Sequence, residues 1–376
     1  MKKYLVVGAG LAGMVIAERL ATSGDCEILV VERRDHIGGN CYDYSDGNDV
    51  MVQKYGPHAF HTNNRDVWNY LSKFTFWYPY FHKVRAIVDG SEVFLPFNLD
   101  GLYQIFPKTF AGKLEEKLLQ AFGFGKKISI LDLKQSNDTD IRFFGDYIYN
   151  KIFLGYSTKQ WGVSPDKIDP SVIARVPVFI GRDNRHFHDV FQGIPIEGYS
   201  KMFRRMLETP NIELFLNRDF KSMTDLEKYD RIIFTGMIDE YFDFTFGKLE
   251  YRTLNFRIER HPVEFFQSGP QINYSENFDF TRICEYKYFL NQKTTKTTIS
   301  YEYPMEFEFG VNEPFYPLLN EKSKSIYQKY YEKAKCCPNV IFVGRLAEYR
   351  YFNMDQVVER ALEVYRENFE KTSSKG

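Results

Sequence analysis

Residues 3–40, KYLVVGAGLAGMVIAERLATSGDCEILVVERRDHIGGN, read as strand, glycine turn, helix and second strand. Gly8, Gly10 and Gly13 form G-x-G-x-x-G at the strand-to-helix junction. In that spacing the first glycine permits a tight turn, the second lets backbone approach a pyrophosphate, and the third lets the helix pack on the strand. Glu32 ends the second strand, 19 positions after Gly13, where a carboxylate can accept hydrogen bonds from a ribose 2′-hydroxyl. Consecutive parallel strands need a crossover of this kind. The unit therefore predicts an α/β chain, α+β overall, built on a Rossmann-like dinucleotide-binding domain. Gly38 and Gly39 follow the acidic strand end within a few residues and extend the loop beside the cofactor, which favours FAD over NAD.

The rest of the chain divides by periodicity. VRAIVDGSEVFLPF (84–97) is a hairpin around Asp89-Gly90. From Leu99 to Trp161 the pattern is helical, and we expect a small helical insertion there. RVPVFIG, IELFLNRDF, YRTLNFRIER, TRICEYKYFL and TTKTTISYEYP (within residues 175–310) are strands without intervening helices, which predicts a largely antiparallel sheet. YDRIIFTG (229–236) differs: an apolar strand ending in Thr235-Gly236 belongs with the nucleotide-binding sheet. VIFVGRLAEYRYFNMDQ (340–356) repeats the strand, glycine and helix order near the other end of the chain. The expected division is 1–80, 225–248 and 325–370 for the FAD-binding domain, 99–165 for the helical insertion with a mobile loop, and 81–98, 170–224 and 249–324 for the antiparallel sheet.

With 49 basic and 50 acidic residues the formal net charge is −1, so nothing in the overall balance favours nucleic acid or a membrane surface. Recognition of an anion must come from individually placed arginines. The five cysteines show no C-x-x-C and no metal-ligand spacing, so no metal is expected and a reducing compartment is. No apolar run reaches the length of a membrane span, and the first strand begins at once, so the expected location is cytoplasmic. The 35 Phe and 27 Tyr stand out and suit either an aromatic core or a site that stacks planar groups.

KYGPHAFHTN (54–63), GYSTKQWG (155–162), FQGIPIEGY (191–199), LEYRTLNF (249–256), TRICEYKYF (281–289), EPFYP (313–317) and GRLAEYRYFNMDQ (344–356) closely resemble the flavin-dependent UDP-galactopyranose mutases, collinearly along the chain. The resemblance implies interconversion of the pyranose and furanose forms of a nucleotide-linked sugar. It implies FAD that must be reduced, with flavin N5 as nucleophile and no catalytic side chain, supported by His61 and Arg252. Arg175 and Arg282 match arginines that hold the diphosphate, and Tyr316 and Tyr351 match tyrosines that hydrogen-bond it. Tyr156 and Trp161 match a mobile region that stacks on the base and closes over the sugar; Asn273 also falls at a substrate position. The FAD contacts implied are Gly8, Gly10, Gly13, Glu32, Arg33, Gly39, Asn40, His58, Thr235, Gly236, Arg345, Asn353 and Met354. The sequence itself does not reveal an oligomeric state; a homodimer is what the resemblance implies, since bacterial members of the family are commonly dimers.

Four positions depart from the family pattern. His82 stands where the family has Asn, His186 where it has a Tyr, Phe191 where it has Tyr, and Asn353 where it has Asp. Both histidines are counted among the substrate contacts, and together with the negative charge lost at Asn353 they predict a more cationic site. UDP-galactopyranose is the expected substrate, with dTDP-fucopyranose, UDP-N-acetylgalactosamine and UDP-arabinopyranose as alternatives. A flavin amine oxidase or dehydrogenase, which shares the glycine and Glu-GG pattern, is the alternative from another class; a non-catalytic flavin-binding scaffold is a further one.

Overall fold

The computed structural model describes residues 1–24, 26–162 and 177–370. At its centre lies a five-stranded parallel sheet in the order Ile212–Phe215, Cys26–Val31, Lys2–Val7, Arg231–Phe234, Val340–Phe342. The opening strand takes the middle place. Helices cover a parallel sheet on both faces, and this strand is accordingly apolar through Tyr4, Leu5 and Val6, all buried. The helices Leu11–Ser23, Tyr199–Leu207 and Met354–Phe369 pack together against one face with Val6, Val30 and Ile233. Burying each such aliphatic side chain contributes about 1.5–3 kcal/mol.

Ile212–Phe215 corrects the expectation that 170–224 belongs to the antiparallel sheet, because it runs parallel to Cys26–Val31 at the edge of the central sheet. The physical reason is the helix before it. Tyr199, Met202, Phe203 and Met206 fall at helical spacing and are all buried, so YSKMFRRML is an amphipathic crossover. Reading the region as strands alone missed that period.

The second sheet has seven strands in the order Tyr316–Pro317, Tyr251–His261, Thr297–Glu306, Arg282–Glu285, Gln271–Tyr274, Val84–Val88, Ser91–Leu95. Its pairs are antiparallel except Gln271–Tyr274 with Val84–Val88. The predicted hairpin turns at Asp89 and Gly90, whose φ angles of 47° and 80° suit the paired left-handed conformations of a two-residue turn.

The helical region has its own core around Leu114, Leu118 and Phe144. The short strand Lys126–Ile128 interrupts it and pairs with Val178–Ile180. GYSTKQW, within the stretch read as helical, is the helix Gly155–Trp161, entered directly from a wide helical turn over Tyr149–Leu154 and ended by Gly162 at φ 69°. Wide turns of this kind often mark functional sites. Among the described residues no helix is long and apolar enough to cross a membrane.

Candidate active site

Gly8, Gly10, Glu32, Arg33, Gly39, Asn40, His58, Thr235, Gly236, Arg345 and Met354 line one cleft above the C-terminal ends of the parallel strands. Ligands of open α/β sheets bind at this edge. The three motif glycines are there for different reasons. Gly8 has φ +102°, and a Cβ on it would lie 2.1 Å from Thr235 Oγ1. A Cβ on Gly13, which does not line the cleft, would lie 2.0 Å from the Gly8 carbonyl oxygen, so helix and turn touch there. At Gly10 the nearest protein atom to such a Cβ is Gly39 Cα at 3.8 Å. The protein itself leaves room at Gly10, so the bare backbone serves a group outside the protein, and a pyrophosphate fits that requirement.

The strand end is rigidly organised. Glu32 Oε2 accepts from Ala9 N–H at 2.8 Å and Oε1 from Arg34 N–H at 3.0 Å, which holds the carboxylate beside the glycine turn. Arg33 and Arg34 both donate to Glu313 Oε2, at 2.8 and 2.7 Å, and Arg34 also reaches Asn40 Oδ1 at 3.1 Å. Glu313 thus ties EPFYP, which carries Tyr316, across the cofactor end of the cleft. Burial lowers the His58 pKa to about 4, so His58 is a neutral wall of the cleft.

Asn353 is not on this cleft. It is exposed and caps the C-terminal helix, with its N–H donating to Gln356 Oε1 at 2.8 Å. Asn and Asp cap helices equally well, so loss of the carboxylate there leaves the helix intact.

A second group of side chains continues from Arg345. Arg345 donates to the carbonyls of Phe315 (3.3 Å) and Phe352 (2.5 Å), and its guanidinium lies 5.9 Å from the ring centre of Tyr316 and 5.3 Å from that of Tyr351. Those two rings stack at 5.5 Å and 15°, and Trp161 flanks both, at 6.0 and 6.4 Å. Arg282 is within electrostatic reach of the Tyr156 and Tyr316 hydroxyls. Burial pushes the Tyr156 hydroxyl up to about 12 and that of Tyr316 higher, with Arg282 opposing the rise at both. Both tyrosines are therefore neutral hydrogen-bond donors at pH 7. Among the described residues, neither hydroxyl has a protein hydrogen-bond partner, and Arg282 Nη1 has none either. Arg175 lies outside the described residues.

Arg282 is held from behind. Its Nε and Nη2 both donate to Glu302 Oε2, at 2.7 and 2.6 Å, across the sheet register that pairs the two residues. Burial works against the guanidinium charge, but the adjacent carboxylate outweighs it and raises the Arg282 pKa well above its usual value. Two donors on Glu302 fix the plane of the fork and leave the remaining edge for a ligand. Asn273, Cα partner of Arg282 on the neighbouring strand, is buried and accepts from Gln271 Nε2 at 2.9 Å.

The histidines are neutral, which corrects the expectation of a more cationic site. His82 is 5 % exposed; its Nδ1 faces Tyr80 Oη at 2.9 Å and its Nε2 faces Gln271 Oε1 at 3.3 Å. Burial lowers its pKa to about 3, assisted by His186 and Arg282. His186 Nδ1 donates to the Leu95 carbonyl at 2.9 Å, and burial lowers its pKa to about 4. Neither ring titrates near pH 7.

Stability should respond. Unfolded His82 takes up a proton below about pH 6.5 while folded His82 does not, so stability is full above that pH. It falls as pH drops toward 3, by up to about 1.4 kcal/mol per pH unit. We expect His82→Asn to narrow the difference in Tm between pH 7 and pH 5 measured by thermal melts; an unchanged difference contradicts the assignment.

His61 stacks on Phe187 at 3.6 Å, and its Nδ1 donates to Asp189 Oδ2 at 2.8 Å. Asp189 Oδ1 accepts from Asn63 Nδ2 at 2.6 Å, and Gln192 Nε2 holds the carbonyls of Phe187 and Asp189. Phe191 stacks on Trp68 at 5.3 Å. Arg252, expected near the cofactor, does not line the cleft; its guanidinium donates to the carbonyls of Gln160 (3.3 Å) and Lys159 (3.5 Å), at the end of the helix bearing Trp161.

Sequence reasoning missed Glu302, Glu313 and Asp189. Only Glu302 left a trace, as an acidic residue inside the β-rich run TTISYEYP.

A family model described as UDP-galactopyranose mutase matches residues 151–351, and one described as an NAD(P)-binding Rossmann-like domain matches residues 6–74. A dTDP-fucopyranose mutase of Escherichia coli is 36 % identical, covering 96 % of this chain and 97 % of that protein. A probable UDP-galactopyranose mutase of Klebsiella pneumoniae is also 36 % identical, over 96 % and 94 %. A UDP-galactopyranose mutase of Mycoplasma genitalium is 33 % identical, over 94 % and 91 %. Among solved structures, that of a reduced UDP-galactopyranose mutase superposes with a TM-score of 0.72 at 16 % identity, over 98 % of this chain and 97 % of the other. A putative protoporphyrinogen oxidase from Exiguobacterium shares the fold at a TM-score of 0.65 and 12 % identity, over 97 % and 98 %.

Proposed function

The chain belongs to the UDP-galactopyranose mutase family, and from that premise we propose that it interconverts the pyranose and furanose forms of a nucleotide-linked sugar with FAD bound in its reduced state. The observation that carries this reading is the continuity of the two groups of residues. Arg345 lines the dinucleotide cleft and also lies against the Tyr316–Tyr351 stack, so cofactor and substrate share a wall.

Reduced flavin, when bound, supplies the nucleophile. The chain's residues bind and orient. Arg282 offers the free edge of a charged fork to the diphosphate, both to hold it in the substrate and to retain it when it leaves. Tyr156 and Tyr316, neutral and without partners among the described residues, donate to the same oxygens, and Trp161 shields the site from water. Cytoplasmic location and a homodimer go with this reading.

UDP-galactopyranose is the primary substrate proposed. dTDP-fucopyranose is the second reading, favoured because a dTDP-fucopyranose mutase is as similar to this chain as a probable UDP-galactopyranose mutase is. Neutral His82, with both ring nitrogens facing protein partners, presents a less polar surface than an amide would. Separate incubations of the reduced protein with each sugar nucleotide decide between them. A higher kcat/KM for UDP-galactopyranose supports the first reading, and a higher value for dTDP-fucopyranose the second.

A further inference from the structure

The residues proposed to hold the nucleotide sugar sit on two separate supports. Tyr156 and Trp161 are on the helix Gly155–Trp161, whereas Asn273 and Arg282 are on the hairpin formed by Gln271–Tyr274 and Arg282–Glu285. Base stacking and diphosphate binding require the two at a fixed separation, and the turn of the hairpin, residues 275–281, faces the helix.

Lys159 joins them. Its Nζ donates to the backbone carbonyls of Tyr274 (2.5 Å), Phe280 (3.0 Å) and Phe278 (3.1 Å), with that of Glu276 at 3.4 Å. An ammonium carries three protons, and here all of them go to carbonyls of a single turn. Lys159 forms no ion pair among the described residues, so this cation serves the turn's geometry and not a neighbouring carboxylate. Burial lowers its pKa, with only Asp279 opposing.

Two further contacts press the same surfaces together. A Cβ on Gly155 would lie 2.1 Å from the Ser275 carbonyl oxygen, so helix backbone rests directly on turn backbone. One turn of helix earlier, Lys151 bridges Glu276 (3.1 Å) and Asp89 (2.5 Å). Arg252 holds the far end of the helix through the Lys159 and Gln160 carbonyls.

We propose that Lys159 is a positioning residue for the substrate: by gathering the carbonyls of the 274–280 turn it locks the helix bearing Tyr156 and Trp161 to the hairpin bearing Arg282. The inference rests on the nucleotide-sugar reading above. Its test uses the flavin-loaded full chain, with UDP affinity by calorimetry, flavin content, and kcat and KM measured together. Lys159→Met should weaken UDP binding about tenfold or more and raise KM more than it lowers kcat, with flavin content unchanged. Gly155→Ala, which forces the helix off the turn and leaves the ammonium in place, should shift the same quantities in the same direction. Wild-type UDP affinity and KM in Lys159→Met, or loss of flavin alongside UDP binding, overturns the proposal. Failure of the unmodified protein to bind either UDP or dTDP instead overturns the nucleotide-sugar reading on which it depends.

Discussion

Arg282→Met should lower kcat/KM for the nucleotide sugar by roughly 10²–10³-fold, the equivalent of two charge-assisted hydrogen bonds at about 1.5–3 kcal/mol each when partly offset by water. The same change should cost about 3–5 kcal/mol of stability, because it strands the buried carboxylate of Glu302 without its cation. The two effects are separable. Glu302→Gln added to Arg282→Met replaces the stranded charge by a neutral group of the same shape, so the double variant should regain most of the lost Tm and none of the lost activity. Recovery of activity with stability would mean that Arg282 acts only through folding.

Gly10→Val should give a folded, colourless protein. A Cβ at Gly10 meets no protein atom nearer than Gly39 Cα, at 3.8 Å. A valine there would fill the place proposed for the pyrophosphate, so flavin content, read from the visible spectrum after purification, should fall below about a tenth of wild type. The melting curve of the flavin-free protein should be nearly unchanged. Gly13→Val is the contrast. Its Cβ would meet the Gly8 carbonyl oxygen at 2.0 Å, so helix and strand must separate, and we expect a loss of about 3 kcal/mol or more. A flavin-replete Gly10→Val protein would contradict the assignment of the cleft.

These two sites also show what was legible in the sequence. The glycine motif and Glu32 were readable because backbone chemistry at a strand-to-helix turn imposes local spacing, and local spacing survives in a sequence. RIIFTG was placeable beside the opening strand because a fully apolar strand has to be covered on both faces. Arg282 and the tyrosines emerged only through resemblance, since an isolated arginine carries no local signal of its partner. Their supports were not legible at all. Glu302, Asp189 and Glu313 act across 20, 128 and about 280 positions of chain, distances that pairing register and loop closure set. The histidines show the converse error: residue type suggested charge, and burial removed it. The helix Tyr199–Leu207 was legible through its 3.6-residue period, and was passed over because strands surround it.

The central claim is redox-neutral isomerisation of a nucleotide sugar. Its most direct measurement is incubation of the dithionite-reduced and the air-oxidised protein, side by side, with UDP-galactopyranose and with dTDP-fucopyranose, the products resolved by HPLC. A furanose product is expected in the reduced sample only, with the flavin spectrum unchanged from before turnover to after it. Substrate oxidation coupled to oxygen consumption, or no furanose from either nucleotide sugar in the reduced state, would contradict it.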